Sequence, residues 1–210
     1  MNEDHAKLCS SPEWAAHIRD EVLPSLTRQV DLGDEMLELG PGPGAATEWL
    51  RHRVGRVTAA EVDEEAASRL AERYAGTNVE VIVADAASLG YPDDSFDSVG
   101  SFTMLHHVPT RASQDRILAE AFRVLRPGGV LVGSDSVASD DLRSFHDGDT
   151  YNPIDPAHLL GRLRALGFGR ITIVVDGDLR FVALKPTCER TPATAREPGN
   201  EGSQSPARKR

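Results

Sequence analysis

The stretch that decides the fold is Leu37–Gly44, which reads LELGPGPG. It places a glycine-rich turn directly after a short strand pattern, and glycine lets backbone approach a ligand closely because no side chain intervenes. The spacing of Gly40, Gly42 and Ala45 also satisfies the dinucleotide fingerprint G-x-G-x-x-G/A. A tight strand-to-helix turn with no ligand is the alternative interpretation. The turn predicts a nucleotide-type site but leaves its ligand open.

Outward from this turn, short apolar strands alternate with amphipathic helices, which predicts a parallel sheet covered on both faces. The last two strands are separated only by Asp176–Leu179, a link too short for a parallel crossover, so they must form an antiparallel hairpin. We expect an α/β fold with a doubly wound, Rossmann-like sheet of seven strands, mostly parallel with an antiparallel C-terminal edge hairpin. The predicted strands are Glu35–Leu39, Arg56–Glu61, Val79–Ala84, Ser98–Phe102, Val130–Ser134, Ile171–Val175 and Arg180–Lys185.

Capping residues and apolar spacing predict three of the helices. The first spans Ser11–Val22, with Ser11 as its cap and Trp14 interpreted mainly as a core residue. The second carries an apolar stripe over Ile117–Leu125 and is ended by Arg126–Gly129. The third begins at Asp155-Pro156 and stops at Gly167.

Length and composition favour one catalytic domain in a chain of 210 residues. We expect an N-terminal helical cap segment over residues 1–34 and the catalytic domain over residues 35–186. Residues 187–210 are rich in Pro, Thr, Gly, Ser and charge without apolar periodicity, so we expect this tail to be disordered.

Composition also excludes several classes of function. A formal net charge of -10 disfavours a nucleic-acid partner, because an acidic surface repels the phosphate backbone. No stretch approaches the ~20 apolar residues of a membrane span, and acids stand where a signal peptide carries bases, so we expect no membrane contact and a cytoplasmic location. Cys9 and Cys188 lie at opposite ends of the chain, which argues against disulfides and a clustered zinc site.

Acidic residues stand at the ends of the first three predicted strands: Glu38, Glu61 and Asp85. The carboxyl ends of parallel strands meet at one crevice, where open α/β sheets bind ligands. A carboxylate at Glu61 can accept hydrogen bonds from both ribose hydroxyls of a nucleoside, and Asp85 can accept from an adenine amine. Asp63 is better interpreted as the cap of the next helix.

Five motifs in order, ELGPGPGAAT, VTAAEVDEEA, VIVADAASL, SFDSVGSFTMLHHV and RVLRPGGVL, resemble the class I S-adenosylmethionine-dependent methyltransferases, specifically their type 11 small-molecule branch. The resemblance runs from about Glu35 to Lys185. It implies S-adenosylmethionine as the cofactor, glycines along its methionine and ribose part, and Glu38 orienting the loop and the amino group. The cofactor-binding residues that it implies are Glu38, Gly40, Gly42, Gly44, Glu61, Val62, Asp85, Ala86, Ser101 and Phe102.

The resemblance also places the methyl acceptor beside Thr103–His107. This segment lacks the Asn-Pro-Pro-Tyr arrangement of methyltransferases that act on nucleobase and protein amines, and it lacks the aspartates with which catechol methyltransferases bind magnesium. We therefore expect a small-molecule acceptor, no nucleic-acid substrate and no metal.

Histidine suits a general base for a hydroxyl acceptor, since its ordinary pKa lies near neutrality. His107 and His146 are the candidate catalytic residues. Candidate substrate-lining residues are His106, together with Phe145 and Tyr151 on the loop after the fifth strand. A helix-start histidine held by backbone, and a merely solvated polar loop, remain the alternatives.

Other function classes stay open. A nicotinamide-dependent oxidoreductase has only the glycine spacing in its favour. A non-catalytic cofactor-binding protein with the same fold cannot be separated from an enzyme by sequence. A methyltransferase acting on protein or RNA is disfavoured by the acidic charge. The acceptor, the atom methylated and the oligomeric state are not given by the sequence.

Overall fold

The computed structural model describes residues 7–187, which form a seven-stranded sheet in the order β3-β2-β1-β4-β5-β7-β6. Strand β7 pairs antiparallel with both β5 and β6, so the predicted C-terminal hairpin is confirmed, with β7 on its inner side and β6 at the sheet edge. The strands are β1 (Glu35–Leu39), β2 (Arg56–Glu61), β3 (Val79–Val83), β4 (Phe96–Phe102), β5 (Leu125–Asp135), β6 (Gly169–Asp176) and β7 (Asp178–Leu184).

The helices cover the sheet and connect its parallel strands. They are α1 (Pro12–His17), α2 (Leu23–Thr27), α3 (Ala45–Leu50), α4 (Glu64–Arg73), α5 (Arg111–Val124), α6 (Asp140–Phe145) and α7 (Pro156–Leu166), with a short 3₁₀ turn at Leu105–His107. The predicted caps are confirmed: Ser11 accepts from the backbone of Trp14, and Asp155 accepts from that of Ala157. Helix α7 ends at Gly167, which has a φ of 104°.

The first predicted helix is not one regular α-helix. A π-helical turn, Ile18–Val22, separates α1 from α2, and the backbone N–H of Leu23 donates to the carbonyl of Ile18. Pro24 follows directly and has no N–H for the carbonyl of Asp20, which accounts for the break in the regular hydrogen-bond ladder. Ile18 is buried, as its predicted place on the apolar face requires.

The segment Arg126–Gly129 was predicted to end the helix before it, and α5 does end just upstream. The segment itself lies inside β5, which begins at Leu125 and not at the predicted Val130. Its glycines pair with the end of β7: the N–H of Gly128 donates to the carbonyl of Lys185, and Lys185 donates to Gly129. This pairing extends the strand, and the extra residues are taken up as an irregularity in the β4–β5 register.

Gly133 in β5 lies directly opposite Phe181 in β7. A Cβ atom at Gly133 would stand 2.2 Å from Cζ of Phe181, closer than two carbon atoms can approach. The Phe181 ring is buried in the main core, so it has no open space into which to move. The contact between β5 and β7 therefore requires a residue without a side chain.

Gly133→Ala should therefore destabilise the protein, by about 1–3 kcal/mol for an overpacked core position. Gly161→Ala is the matched control, because Gly161 lies within α7 and a Cβ there meets nothing within 4 Å. That substitution should stabilise by about 0.5–1 kcal/mol, since alanine favours the helix. Urea unfolding of both variants measures the difference, and equal midpoints for Gly133→Ala and the parent chain would contradict the argument.

Residues 7–34 carry α1, the π-helical turn and α2. The tail expected to be disordered spans residues 187–210, of which all but Thr187 lie outside the described residues. Within residues 7–187, no helix has both the length and the apolar character that crossing a membrane requires.

Candidate functional site

A cavity of about 800 Å³ opens at the carboxyl ends of β1, β2 and β4 and beside the segment after β3. This is the crevice in which the strand-end acids were expected to meet. Nine of the residues singled out from the sequence line it: Glu38, Gly40, Gly42, Glu61, Val62, Asp85, Ala86, Phe102 and His107.

The other residues singled out do not line this cavity. Gly44 lies at the start of α3, and Ser101 is buried in β4, where its hydroxyl has no hydrogen-bond partner within residues 7–187. The remaining four lie behind His107, away from the cavity surface: His106, Phe145, His146 and Tyr151.

The glycine-rich turn forms the floor of the cavity next to β1. The N–H of Gly40 donates to the carbonyl of Ala60, and a Cβ at Gly40, whose φ is 62°, would stand 2.3 Å from Cγ of Met104. Gly42 has a φ of 51°, and a Cβ there would meet nothing within 4 Å, because the position faces open space. A ligand can therefore reach the backbone at Gly42, as the sequence suggested.

Side chains of α4 hold the far end of the turn. The hydroxyl of Tyr74 donates to the carbonyl of Gly44 at 3.0 Å, and Nη1 of Arg73 donates to the carbonyl of Pro43 at 2.7 Å. These bonds fix the turn before any ligand binds. A preformed backbone surface costs a ligand less ordering entropy than a mobile one.

Glu38 is buried at the end of β1 with only 2% of its surface exposed. Its Oε2 accepts a hydrogen bond of 2.6 Å from the hydroxyl of Thr47 in α3, the helix that follows the glycine-rich turn. Glu38 thereby ties the strand before the turn to the helix after it. Burial raises the pKa of Glu38 from its ordinary 4.5 to about 7, against the opposing effect of the Thr47 bond and with a smaller contribution from the nearby charge of Glu61.

This raised pKa predicts a pH-dependent stability. The unfolded carboxyl loses its proton near pH 4.5 and the folded one near pH 7, so the folded state holds more protons between these values. The contribution is fully present below pH 4.5 and is lost as pH rises to about 7. Glu38→Gln should not show this loss. At about 1.4 kcal/mol per pKa unit, its free energy of unfolding at pH 8 should exceed that of the parent chain by up to about 3 kcal/mol.

Urea unfolding at pH 5 and pH 8 measures the effect of Glu38→Gln. Glu72→Gln, at an exposed position of α4, is the control that also removes one carboxylate and should give the same difference at both pH values. If the difference in stability between Glu38→Gln and the parent chain is the same at pH 5 and pH 8, the raised pKa of Glu38 is wrong.

Glu61 ends β2 and is held by the backbone that follows it. Its Oε1 accepts from the N–H of Val62 at 2.9 Å and from that of Asp63 at 3.1 Å. Asp63 caps α4 by accepting from Ala66, which confirms its interpretation as a helix cap. Val62 projects beside this carboxylate with 70% of its surface exposed, an apolar surface at the rim of the cavity.

Asp85 lies two residues beyond the end of β3 and is exposed at the cavity rim. Its Oδ1 accepts from the N–H of Ala87 at 2.8 Å, which orients the carboxylate in a short turn. Ala86 lines the cavity beside it.

The N-terminal helices supply a wall that the sequence did not predict. Cys9, Trp14 and Ile18 line the cavity. Trp14 is half-buried and packs against the core cluster that contains Ile18 and Trp49, so it is both a core residue and a cavity residue.

Three histidines and a tyrosine form a cluster behind the cavity, hereafter the histidine cluster: His106, His107, His146 and Tyr151. The ring centroids of His106 and His107 are 4.0 Å apart, and the ring of His146 lies 5.2 Å from the first and 5.5 Å from the second. Tyr151 stacks on His146 at 4.6 Å. His107 is the histidine that reaches the cavity.

Asp135, at the end of β5, is a site residue that the sequence analysis missed. Its Oδ1 lies 2.6 Å from Nδ1 of His106 and also accepts from the N–H of Ser136 at 2.7 Å, with both side chains buried. The sequence did contain a signal for it, because Asp135 is an acid at a strand end like Glu38 and Glu61.

The sequence analysis expected no metal site because the cysteines lie far apart and the magnesium-binding aspartates are missing. That expectation did not consider the three histidines of the cluster. Atoms of His106, His107 and His146 that could bind a metal ion lie within 4.8 Å of one another. His107 and His146 are far apart in the sequence, so spacing rules for metal motifs could not reveal the group.

Comparisons with known proteins agree with this geometry. A family model described as Methyltransferase domain matches residues 37–133. Methyltransferase GfsG of Streptomyces halstedii is 36% identical over 140 residues, 63% of this chain and 49% of that protein. A sarcosine/dimethylglycine N-methyltransferase of Halorhodospira halochloris is 33% identical over 166 residues, 72% of this chain and 57% of that protein.

Among solved structures, one similar chain comes from the complex between the Haloferax volcanii Trm112 methyltransferase activator and a methyltransferase. It has a TM-score of 0.69 at 18% identity and covers 88% of this chain and 95% of that chain. At this identity the likeness concerns the fold. The chain spans about half the length of the curated relatives it matches, at 49% and 57%.

Proposed function

We propose that this chain, whose residues 37–133 match the Methyltransferase domain model, transfers the methyl group of S-adenosylmethionine to a small molecule held in the cavity. The observation that carries this proposal is the meeting of the open backbone at Gly42, the Glu61 carboxylate and the exposed face of Val62 in one cavity. Together they offer close backbone contact, a hydrogen-bond acceptor and an apolar surface.

The residues on the donor side of the cavity fit the parts of this cofactor. Oε1 of Glu61 accepts from two backbone N–H groups, and Oε2 would accept from the ribose hydroxyls. Val62 and Ala86 would flank the adenine, and burial against its ring would cover the exposed surface of Val62. Asp85 stands at the same rim to accept from the adenine amine.

The residues between β1 and β4 would bind the methionine part of the cofactor. Gly40, Gly42 and Phe102 would contact it, with Gly44 and Ser101 supporting this region from below the surface. The buried Ser101 hydroxyl, which lacks a partner within residues 7–187, is a polar group that a ligand or water can satisfy. Glu38 holds the turn through Thr47 and lies where a ligand ammonium group would be stabilised.

A small acceptor is supported by the space that is left and by the charge. The cavity of about 800 Å³ has to hold both donor and acceptor, and the chain carries a net charge of -10, which opposes a nucleic-acid substrate. One relative is named for sarcosine and dimethylglycine, which are small molecules. We assign the acceptor to the part of the cavity between Trp14 and His107.

The bound sulfonium supplies an electrophilic methyl group, so the protein chiefly aligns the acceptor for in-line attack. For a hydroxyl acceptor the proton must also leave, and we assign this role to the histidine cluster. His107 meets the acceptor, while His106 and His146 support it from behind. Phe145 and Tyr151 pack around His146 and exclude water from this side.

Calorimetry with S-adenosylmethionine, its demethylated product and NAD tests the proposed cofactor. We expect binding of the first two and none of NAD; tight NAD binding without a response to S-adenosylmethionine would reject it. Incubation with labelled S-adenosylmethionine and a fractionated cell extract, followed by mass spectrometry, tests turnover and finds the acceptor. Cofactor binding without any labelled product would favour a non-catalytic binding protein.

A further inference from the structure

The three rings of the histidine cluster come from two separate elements, the 3₁₀ turn after β4 and the end of α6. His106 and His146 are 2% and 3% exposed, while His107 is half-buried and lines the cavity. Potential ligand atoms from all three lie within 4.8 Å of one another.

Hydrogen bonds fix the orientation of the two buried rings. Nδ1 of His146 donates to the carbonyl of Leu142 at 2.6 Å, and a carbonyl can only accept, so this nitrogen carries the hydrogen. Nδ1 of His106 faces Asp135 Oδ1 at 2.6 Å, an oxygen that also accepts from a backbone N–H, so this nitrogen is a donor too. In a neutral ring Nε2 then carries the lone pair.

This arrangement is the one that histidine metal ligands use. A metal-binding histidine donates its other ring N–H to a carboxylate or a backbone carbonyl, which fixes the tautomer and raises the basicity of the ligating nitrogen. Asp135 provides the carboxylate for His106, and Leu142 provides the carbonyl for His146. Both supporting groups are therefore in place.

We propose that His106, His107 and His146 bind one divalent transition-metal ion, with zinc the best match to three neutral imidazoles. Nitrogen ligands favour zinc, cobalt, nickel and copper over magnesium and calcium. Zinc–nitrogen distances of about 2.0–2.1 Å place tetrahedral ligands roughly 3.4 Å apart. The potential ligand atoms lie within 4.8 Å of one another, so they would have to approach one another further when the ion binds.

A site with three protein ligands leaves a fourth position open. Because His107 lines the cavity, an ion bound to it would lie next to the acceptor region. A bound zinc ion stabilises a coordinated oxygen in its deprotonated form, which makes a hydroxyl-bearing molecule the matching class of acceptor. This consequence rests on the proposed methyl transfer, whereas binding of the ion does not.

Zinc titration of the chelator-treated full chain, purified without a histidine tag, tests the site by calorimetry, and Co²⁺ titration reports ligand geometry by visible absorption. We expect one ion per chain. His107→Gln and His146→Gln should each weaken zinc binding at least tenfold, and Asp135→Asn should weaken it by about 10- to 100-fold because the negative charge behind His106 is lost. The control His52→Gln, at an exposed position outside the cluster, should bind as the parent chain does.

Circular dichroism tests whether each variant folds. If His146→Gln, at a buried position, does not fold, the zinc affinity of His107→Gln, at a half-buried position, decides whether the cluster binds the ion. Absence of zinc binding by the parent chain, or equal affinities in His107→Gln and His52→Gln, would overturn the proposal. Titration of the same samples with S-adenosylmethionine separates the two hypotheses. A chain that binds S-adenosylmethionine but not zinc rejects the metal site alone, and one that binds only zinc rejects the proposed cofactor.

Discussion

Glu61→Gln is expected to weaken S-adenosylmethionine binding at least tenfold. Glutamine keeps a carbonyl oxygen that can accept from Val62 and Asp63, so the backbone turn after β2 should persist. The carboxylate oxygen turned to the ribose is replaced by an amide NH₂ group, which cannot accept from the ribose hydroxyls. The negative charge of Glu61 is lost as well. Charge-assisted hydrogen bonds contribute about 1.5–3 kcal/mol each, and about 1.4 kcal/mol corresponds to a factor of ten in affinity.

Calorimetry of Glu61→Gln beside Glu64→Gln measures this effect. Glu64 is an exposed acid in the first turn of α4 outside the cavity lining, so its loss changes the net charge equally without removing a predicted cofactor contact. If Glu61→Gln binds as the parent chain does while Asp63→Ala does not, the ribose is held by Asp63 instead.

Asp135→Asn is expected to lower the rate of methyl transfer by about 10- to 100-fold while leaving S-adenosylmethionine affinity unchanged. An asparagine oxygen can still accept from Ser136 and His106, so the geometry is retained and the negative charge is lost. The negative charge would stabilise the positive charge that the cluster gains when it takes up the proton of the acceptor. His106 passes this effect on by ring contact with His107, the cluster residue that reaches the cavity. Removing this negative charge should slow the transfer of the acceptor's proton to the cluster.

The rate is measured with labelled S-adenosylmethionine and the acceptor found in the extract. Asp141→Asn in α6 is the control, because Asp141 is an exposed carboxylate near the same loop and should leave the rate unchanged. An unchanged rate in Asp135→Asn, or a parallel loss of cofactor affinity, would remove Asp135 from its assigned role.

Features set by neighbouring residues were predicted well. The bounds of β1 and β2 agree with the apolar patterns of the sequence, and the caps at Ser11, Asp63 and Asp155 agree with their predicted places. Caps and apolar periodicity act over three or four residues, which the sequence displays directly. The part of the cavity next to β1 and β2 follows from the same local rules, because strand ends and a glycine turn form it.

Features that depend on contacts distant in sequence were not predicted. The place of Arg126–Gly129 in β5 depends on pairing with Lys185, which only the folded sheet brings alongside. The approach of His146 to His106 depends on how the segment after β5 folds back across the 3₁₀ turn. Tertiary contacts override local patterns in both cases, and a single sequence does not display them.

The two supports of the histidine cluster differ in how firmly the fold holds them. Asp135 occupies the last rung of β5, where it pairs with Leu179 in β7, whereas His146 caps a six-residue helix on the loop after that strand. Groups on strands are preorganised, since the entropy of fixing them is lost when the sheet folds, and groups on loops can still adapt when a ligand arrives. Within the proposed function, the cluster would therefore adjust to a bound acceptor through His146, while Asp135 keeps its place in the sheet.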